Sequence, residues 1–411
     1  MLINTLNILT EISLYLLLFG ITFSNSATEI FAITILTLFI IRRILLKNFK
    51  PPKTPVNLIL YAIIVIVFIT FLRSAYFSES IRGLLRVVKF IFLFFALTEF
   101  FSEDEKRIKR TFWAIMAVAF FTFLNGIFQS IYSFDILRHH ELIKDDDLRR
   151  ILGSFVHPND FGGYIIFILP LAFCFLNRFL KKAERIFLVI NCLLGAYCLF
   201  KTSSRAAWLG FFIGIIVYFF IYKKKALLII LLTIALFGLL IPHSFDRVVS
   251  LFAAEHNTTW ERMQLWKGTW SMVKVHPFLG FGINTFSRYF LLYKPAAYPD
   301  IRYAHNSYLQ MWSEIGIFGL SAYLALIFTI LVKTLRSMRE KVKKGFMGFV
   351  LLGAVSGYIA FLIQSGLDTN LYSLVLTTLF WVMSAYMISI NKFLNEEIAS
   401  SPSAPRNDGC V

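Results

Sequence analysis

The run Tyr303–Leu320, reading YAHNSYLQMWSEIGIFGL, places a histidine where a long polar segment turns into an apolar helix. At the mouth of a membrane helix, water, lipid headgroups and a polar substrate can meet, and histidine is the side chain whose charge changes near neutral pH. His305 and Asn306 are followed, after nine residues, by Gly316 and then Gly319, which gives the spacing H-N-x9-G-x-x-G. His305 is therefore the first candidate for chemistry.

Arginines are the second chemical feature of the sequence. Arg205, in TSSRAAWL, opens an apolar run, and three further arginines stand in the polar segment before His305: Arg262, Arg288 and Arg302. A guanidinium binds phosphate or pyrophosphate through paired N–H donors. The alternative for Arg205 is that its head reaches the lipid headgroups, and spacing alone does not decide between the two. Several arginines beside a histidine suggest an anionic, lipid-linked substrate.

The composition of the chain indicates which elements position these residues. Of 411 residues, 58% are hydrophobic and only 16% are charged, and no soluble domain can bury that much apolar surface. In a soluble protein the net charge of +17 would indicate binding to nucleic acid, but here the basic residues cluster between apolar runs. That pattern is typical of cytoplasmic loops against an anionic membrane leaflet. We therefore predict a polytopic membrane protein with membrane lipids, and no nucleic acid, as partners.

About twelve apolar segments approach the roughly twenty residues that a membrane span requires. They cover residues 6–24, 27–45, 56–73, 84–101, 111–131, 161–178, 186–201, 206–222, 226–242, 305–332, 346–366 and 371–390. Clusters of Lys and Arg follow the second, fourth, sixth, eighth and tenth segments. The positive-inside rule then places both termini in the cytoplasm and the starts of the runs at Arg205 and His305 on the outer face.

The predicted fold class is all-α, with one transmembrane domain over residues 1–399. The first span is expected to be retained because it lacks a basic n-region and a cleavage site. The polar tail 400–411 is expected to be disordered and cytoplasmic.

Two long outer loops are predicted, at about 132–160 and 243–304. Connections of that length generally carry function or helices of their own. Tryptophans at 260, 266 and 270 predict an amphipathic helix on the membrane surface, broken by Pro277, Gly280 and Gly282. A second short helix is expected at about 285–293.

All seven histidines fall in these two loops or at their edges. For His139, His140, His243 and His256 we favour simple residence in a polar loop, because histidine avoids hydrocarbon. His139 and His140 lie near Asp145–Asp147, but the spacing fits no established zinc or two-metal pattern, so no metal site is predicted. Three of the four cysteines lie inside apolar runs, and no disulfide framework is indicated.

Four motifs together resemble the O-antigen ligase and Wzy-type polymerase superfamily, membrane glycosyltransferases described as having a C-type glycosyltransferase architecture. They occur in order as GSFVHPNDFGGY from Gly153, TSSRAAWL from Thr202, HPFLGFGINTF from His276 and the run from His305 to Gly319. The second contains the R-x3-L pattern of the ligases, and the fourth contains their H-N-x9-G-x-x-G pattern. The resemblance covers roughly the C-terminal two thirds of the chain. Each motif alone is weak, and the signal comes from the occurrence of all four in the expected order.

The resemblance implies an enzyme of the bacterial inner membrane with its active site facing the periplasm. A glycan carried on undecaprenyl pyrophosphate is moved to an acceptor hydroxyl, which in the ligases is a sugar of lipid A-core. His305 would be the general base, and Arg205 with Arg262 would hold the pyrophosphate. Arg288 and Arg302 compete with Arg262 for that role. No metal or other cofactor is required, and inversion at the anomeric carbon is a hypothesis.

Two asparagines are candidates for orienting substrate hydroxyls. Asn306 adjoins His305, and Asn159 follows Pro158 together with Asp160. For Asn159 the competing interpretation, a cap of the sixth span, is slightly favoured.

The remaining residues of the motifs have architectural interpretations. Gly316 and Gly319 are expected to allow close helix packing. Glu314 lies about half a turn round the helix from His305 and is expected to have a basic or hydroxyl partner elsewhere. His276 and Pro277 are expected to end the surface helix.

Other functions stay open at this point. A polymerase of the same superfamily, joining repeat units of O-antigen or exopolysaccharide, uses the same chemistry, and the two ligase patterns favour the ligase. A protein O-oligosaccharyltransferase is disfavoured because no extended domain follows the final span. A polysaccharide transporter or flippase fits twelve spans, but no internal repeat and no charged path through several spans are found.

Overall fold

The computed structural model describes residues 1–138, 140–141, 150–177, 180–225, 256–294 and 303–400. Within these ranges the chain is almost entirely helical. Two short strands pair antiparallel, β1 at Phe134–Asp135 and β2 at His140–Glu141. The predicted all-α class is confirmed.

The first eight helices are, in chain order, α1 Leu2–Phe23, α2 Asn25–Leu45, α3 Asn57–Leu72, α4 Phe77–Ser102, α5 Glu105–Tyr132, α6 Pro158–Ala172, α7 Lys182–Thr202 and α8 Arg205–Tyr222. After the gap at 226–255 follow α9 His256–Val275, α10 Phe286–Tyr289, α11 Ser307–Leu335, α12 Met338–Lys343, α13 Phe346–Ser365 and α14 Leu374–Ala399. Short 3-10 turns follow α6 at Phe173–Leu176 and α10 at Phe290–Leu292, and another precedes α14 at Asn370–Tyr372.

Among the described residues, eight helices are long and apolar enough to cross a membrane: α1, α5, α6, α7, α8, α11, α13 and α14. The predicted spans at 27–45, 56–73 and 84–101 are helical as α2, α3 and α4. The predicted span at 226–242 and the tail from 401 lie outside the described residues. The polytopic class is therefore confirmed, and the count of twelve stays a prediction.

The centre of the bundle is formed by α6, α13 and α14. In the apolar windows of α6 and α13 78% of residues are buried, and in α14 94%, against 28% in α7 and α8. Glycines let α13 approach α6 closely, since a Cβ at Gly357 would lie 2.0 Å from the Phe167 carbonyl oxygen. The chain can therefore hold the start of α6 and the end of α13 in a fixed relation, and both carry residues of the site described below.

Helix α11 is broken at Gly316, where φ is 68° and ψ is −176°. The freed backbone groups bond to the segment 277–282, which lies against the break. The Pro277 carbonyl accepts from Ile317 N at 2.8 Å, and the Glu314 carbonyl accepts from Gly282 N at 2.8 Å. A Cβ at Gly316 would lie 2.0 Å from the Phe278 carbonyl oxygen. The prediction that Gly316 allows close packing of helices is thus wrong, because the glycine makes room for a loop.

The helices of the long polar loop before His305 occur where the sequence predicts them. Helix α9 ends at Val275, immediately before His276 and Pro277, and α10 with its 3-10 extension covers the expected short helix. Apolar side chains of this region form a second small core: Leu265, Met272, Phe286, Phe290 and Ala304. The loop is thus a packed unit that can hold side chains of α9 in place.

Candidate functional site

His305 lies directly before the cap of α11. The Asn306 side chain accepts from the N–H groups of Tyr308 and Leu309, each at 3.0 Å, which is an N-cap. His305 itself has a left-handed φ of 49°, so the backbone turns sharply here and directs the imidazole away from the helix. The imidazole is 36% exposed. Asn306 thus fixes where the helix begins and with it the place of His305.

The histidine ring bonds to Asp368, a residue that sequence reasoning missed. His305 Nδ1 lies 3.1 Å from Asp368 Oδ1. A proton on Nδ1 donated to the carboxylate leaves Nε2 with a free lone pair, which is the form that can accept a proton. The pair joins the start of α11 to the connection between α13 and α14.

The Asp368 carboxyl is only 9% exposed and is held by several groups. Its backbone carbonyl accepts from the N–H and the hydroxyl of Ser307, at 3.1 and 3.0 Å. Its side chain accepts from Thr369 N at 2.8 Å and from Asn159 Nδ2 at 2.6 Å. Burial by itself raises the pKa of Asp368, but the hydrogen bond and charge of His305 and the charge of Arg262 outweigh it and lower the pKa below its usual value.

Asn159 connects this aspartate to an arginine. Its Nδ2 donates to Asp368, and its Oδ1 accepts from Arg150 Nη2 at 3.1 Å. Arg150 also donates from Nε to the Thr202 carbonyl at 2.8 Å. The cap interpretation favoured for Asn159 is wrong, because the cap of α6 is His157.

His157 accepts at Nδ1 from Asn159 N at 3.2 Å, which leaves Nε2–H as the donor of the neutral ring. The surrounding protein displaces water and lowers the pKa of His157, and the charges of Arg150, His305 and Arg262 add to that effect against Asp368. His157 is therefore a neutral hydrogen-bond donor at pH 7.

Arg262 is brought to the same carboxylate by α9. Its Nη2 lies 3.7 Å from Asp368 Oδ2, and its side chain is 31% exposed. One turn further, Trp266 donates from Nε1 to the His305 carbonyl at 3.4 Å. Residues four apart share one face of a helix, so α9 presents both side chains to the site. Of the two candidate arginines that the structure describes, Arg262 and Arg288, Arg262 is the one that lies beside Asp368.

Arg205 is the first residue of α8, and this end of α8 packs on the start of α6. A Cβ at Gly162 would lie 2.9 Å from the Ala207 Cβ. The bond from Arg150 to Thr202 ties the segment just before Arg205 to Asn159. The start of α8 therefore shares one end of the bundle with His157 and Asn159.

Arg288 lies elsewhere. It donates from Nε and Nη2 to Glu79 Oε1 at 3.0 and 2.7 Å, and it lines a different cavity. The structure therefore does not bring Arg288 to Asp368. Arg302 lies outside the described residues.

A cavity of about 580 Å³ contains His305 and Asp368. Its polar lining includes His157, Asn159 and Asp160. The α1–α2 turn, Arg86, Arg138, Tyr303, Tyr372 and the start of α14 also contribute to its wall. A cavity of this size accommodates sugar-sized ligands. In the described ranges no group of three or more His, Cys, Asp or Glu side chains is arranged to hold a metal ion.

Glu314 is separate from the histidine, as its helical position predicts. It accepts from Asn284 N at 3.0 Å, from Phe286 N at 3.1 Å and from the Tyr372 hydroxyl at 3.2 Å. The expected hydroxyl partner is confirmed. Glu314 fastens the outer loop to α11 and thereby supports the region around His305.

The fold and the site define a class: a multi-helix membrane protein with a histidine–aspartate pair and arginines at one end of the bundle. The comparisons agree. Residues 190–324 match the family model described as O-Antigen ligase (Wzy_C), so the predicted resemblance to that superfamily is confirmed.

Two curated relatives are distantly similar. A teichuronic acid biosynthesis protein of Bacillus subtilis (strain 168) is 24% identical over 57% of this chain and 50% of its own length. A putative polysaccharide ligase of Rickettsia prowazekii (strain Madrid E) is 25% identical over 39% of this chain and 44% of its own length. The chain thus matches about half the length of each of these relatives.

The residues that sequence reasoning missed are Asp368, His157 and Arg150. Asp368 is the acidic residue of the short connection between the apolar runs 346–366 and 371–390. That position could have marked Asp368 as a candidate site residue. Its partner is 63 positions away, so no local spacing pattern could reveal the pair.

Proposed function

We propose that this protein is a glycosyltransferase that moves a glycan from undecaprenyl pyrophosphate to an acceptor sugar hydroxyl, in the manner of an O-antigen ligase with lipid A-core as acceptor. It acts at the periplasmic face of the bacterial inner membrane. The observation that carries the proposal is the His305–Asp368 pair in a sugar-sized cavity, with Arg262 beside the same carboxylate.

His305 is the general base of the proposed reaction. The ionised Asp368 holds the proton on Nδ1, so Nε2 takes the proton of the acceptor hydroxyl. The hydroxyl oxygen bonds to the anomeric carbon as the bond from that carbon to the pyrophosphate oxygen breaks. Direct attack of this kind inverts the anomeric centre.

Arg262 and Arg205 hold the departing pyrophosphate. Negative charge grows on its oxygen as the glycosidic bond breaks, and guanidinium donors fixed beforehand stabilise that charge. The lowered pKa of Asp368 gives Arg262 a permanent negative neighbour, which keeps the arginine at the site before substrate binds.

Polymerisation of repeat units is the second candidate. One relative is named for teichuronic acid biosynthesis and the other as a putative polysaccharide ligase, so the relatives do not agree on one product. The same base and arginines serve either reaction, and only the acceptor differs.

The test is transfer by purified protein of an undecaprenyl-pyrophosphate glycan to lipid A-core. His305→Ala and Asp368→Asn are each expected to lower the rate about 100-fold or more, because each removes the base or the group that holds it. Asp104→Asn is the matched control, since Asp104 does not line the cavity and caps α5, a role that asparagine also serves. Unchanged transfer in the His305→Ala protein would refute the mechanism.

The glycolipids of a deletion strain separate the two candidates. Full-length polyprenyl-linked chains beside bare core indicate a ligase. Single repeat units on core indicate a polymerase.

A further inference from the structure

A second cavity of about 750 Å³ adjoins the His305 cavity. Arg86, Tyr303 and Tyr372 line both. Tyr303 stands two residues before His305, and Tyr372 stands four residues after Asp368. The second cavity therefore opens beside the proposed base.

The second cavity is cationic. Its lining contains Arg82, Arg86 and Arg288 and the carboxyl groups of Glu79 and Glu314. Arg288 is paired with Glu79 at 2.7 Å, and Arg82 lies 3.8 Å from the same carboxylate. Glu314 is occupied by two backbone N–H groups and the Tyr372 hydroxyl.

Arg86 has no carboxylate within ion-pair distance in the part of the chain that the structure describes, and its side chain is exposed. An arginine in this setting keeps its donors available for an anion. The positive charge of Arg86 thus faces space that both cavities share.

The rest of the lining suits a carbohydrate. Tyr303, which is 44% exposed, offers aromatic surface, and the exposed Ser287 offers a hydroxyl. Aromatic surface beside polar groups is a usual feature of a small-molecule site.

This cavity is distinct from the place proposed for the pyrophosphate. Neither Arg205 nor Arg262 is among the residues that line it. The protein thus offers two cationic groups in different surroundings, Arg262 beside Asp368 and Arg86 where the two cavities meet.

We propose that the Arg86 cavity binds an anionic group, a carboxylate or phosphate substituent, on the sugar acceptor whose hydroxyl reaches His305. That the bound glycan is the acceptor rests on the proposed function. The binding itself does not require any transfer reaction. Arg86 is therefore a specificity residue, placed to favour acidic glycans over neutral ones.

The experiment measures binding to the full chain in detergent of two fluorescent probes, a tetramer of galacturonic acid and the same tetramer with its carboxyl groups reduced. Wild-type protein is expected to bind the acidic probe about tenfold more tightly than the neutral one. Arg86→Gln is expected to abolish that preference and leave binding of the neutral probe unchanged, whereas Arg86→Lys retains part of it. The control Arg73→Gln removes the same charge from the nearby end of α3, where Arg73 lines neither cavity, and is expected to change nothing.

Equal binding of the two probes by wild-type protein would overturn the proposal, as would equal losses in the Arg86→Gln and Arg73→Gln proteins. Arg86-dependent binding of dihexanoyl phosphatidylglycerol without binding of the acidic tetramer would also overturn it and assign the site to a lipid headgroup. The binding measurement contains no polyprenyl-pyrophosphate donor, so its outcome does not depend on transfer. Failure of the transfer reaction is therefore distinguishable from failure of this site.

Discussion

At the scale of single residues, the site depends on one buried carboxylate that serves three partners. Asp368 accepts from His305 and Asn159 and lies beside Arg262. A charge shared in this way orients a base and an anion-binding group together, and both lose their fixed position if it is removed.

The lowered pKa of Asp368 predicts an acid dependence of stability. A carboxyl whose pKa is lower in the folded than in the unfolded state stabilises the fold above the unfolded value of about 4, and this stability is lost as the pH falls through the folded value. The melting temperature of wild-type protein should exceed that of Asp368→Asn at pH 7, and the difference should shrink below about pH 4. A difference that stays constant from pH 7 to pH 3 would contradict the lowered pKa.

Arg262→Gln is expected to lower the rate of glycan transfer about 100-fold, because one fixed donor to the developing charge is lost. Lys267→Gln, which removes an exposed charge from the same helix α9, is expected to leave the rate within about twofold. The measurement is transfer from a polyprenyl-pyrophosphate glycan at saturating acceptor. Equal effects of both changes would point to the overall charge of α9 and not to Arg262 itself.

At the scale of elements, the broken helix α11 connects the outer loop to the site. The break at Gly316 receives the segment 277–282, and Glu314 and Trp312 bond to the same loop, the latter from Nε1 to the Pro277 carbonyl at 3.0 Å. The loop also carries α9, which presents Arg262 and Trp266. The geometry at Asp368 thus depends on the contact between the break at Gly316 and the segment 277–282, which lies at the far end of the first turns of α11.

Gly316→Ala tests this contact between the break in α11 and the loop. An alanine there would adopt a left-handed φ and place its Cβ 2.0 Å from the Phe278 carbonyl oxygen, so we expect a loss of at least about 2 kcal/mol of stability and of most activity. Gly366→Ala is the matched control, since φ there is −76° and the atom nearest to its Cβ would lie 3.4 Å away. Denaturation in mixed micelles measures the difference. Similar stabilities of the two variants would show that the loop does not require the break.

At the scale of the whole molecule, the residues of the site collect at one end of the bundle. The α1–α2 turn and the starts of α6 and α11 meet there around the His305 cavity. The ends of α2 and α4 meet at the opposite end, where Arg42 and Arg43 pair with Glu99. Because successive helices run in opposite directions, chain order alone determines which end of the bundle each helix terminus occupies.

Cysteine labelling can test the predicted orientation. In a background with Cys174, Cys192, Cys198 and Cys410 replaced by serine, Ser26→Cys at the site end is expected to react with a membrane-impermeant maleimide in intact spheroplasts. Lys50→Cys, between α2 and α3, is expected to react only after lysis. Labelling in the reverse order would place the site in the cytoplasm.

The sequence by itself determined the class of the protein and most of its helices, and it marked His305 as a candidate base. Hydrophobic runs of bilayer length, basic residues between them and four motifs in order are properties of contiguous stretches. The tryptophan spacing also located α9, and the position of Glu314 predicted a partner other than His305.

Only the tertiary structure decided which residues surround the histidine. Asp368 meets His305 across 63 positions because α6, α13 and α14 pack tightly at the centre and bring their ends at the site together. The same packing separates Arg288 from Arg262, although both lie in one loop and looked equivalent as candidate anion ligands. A spacing pattern reports neighbours along a helix, and contacts between distant segments depend on how the helices pack.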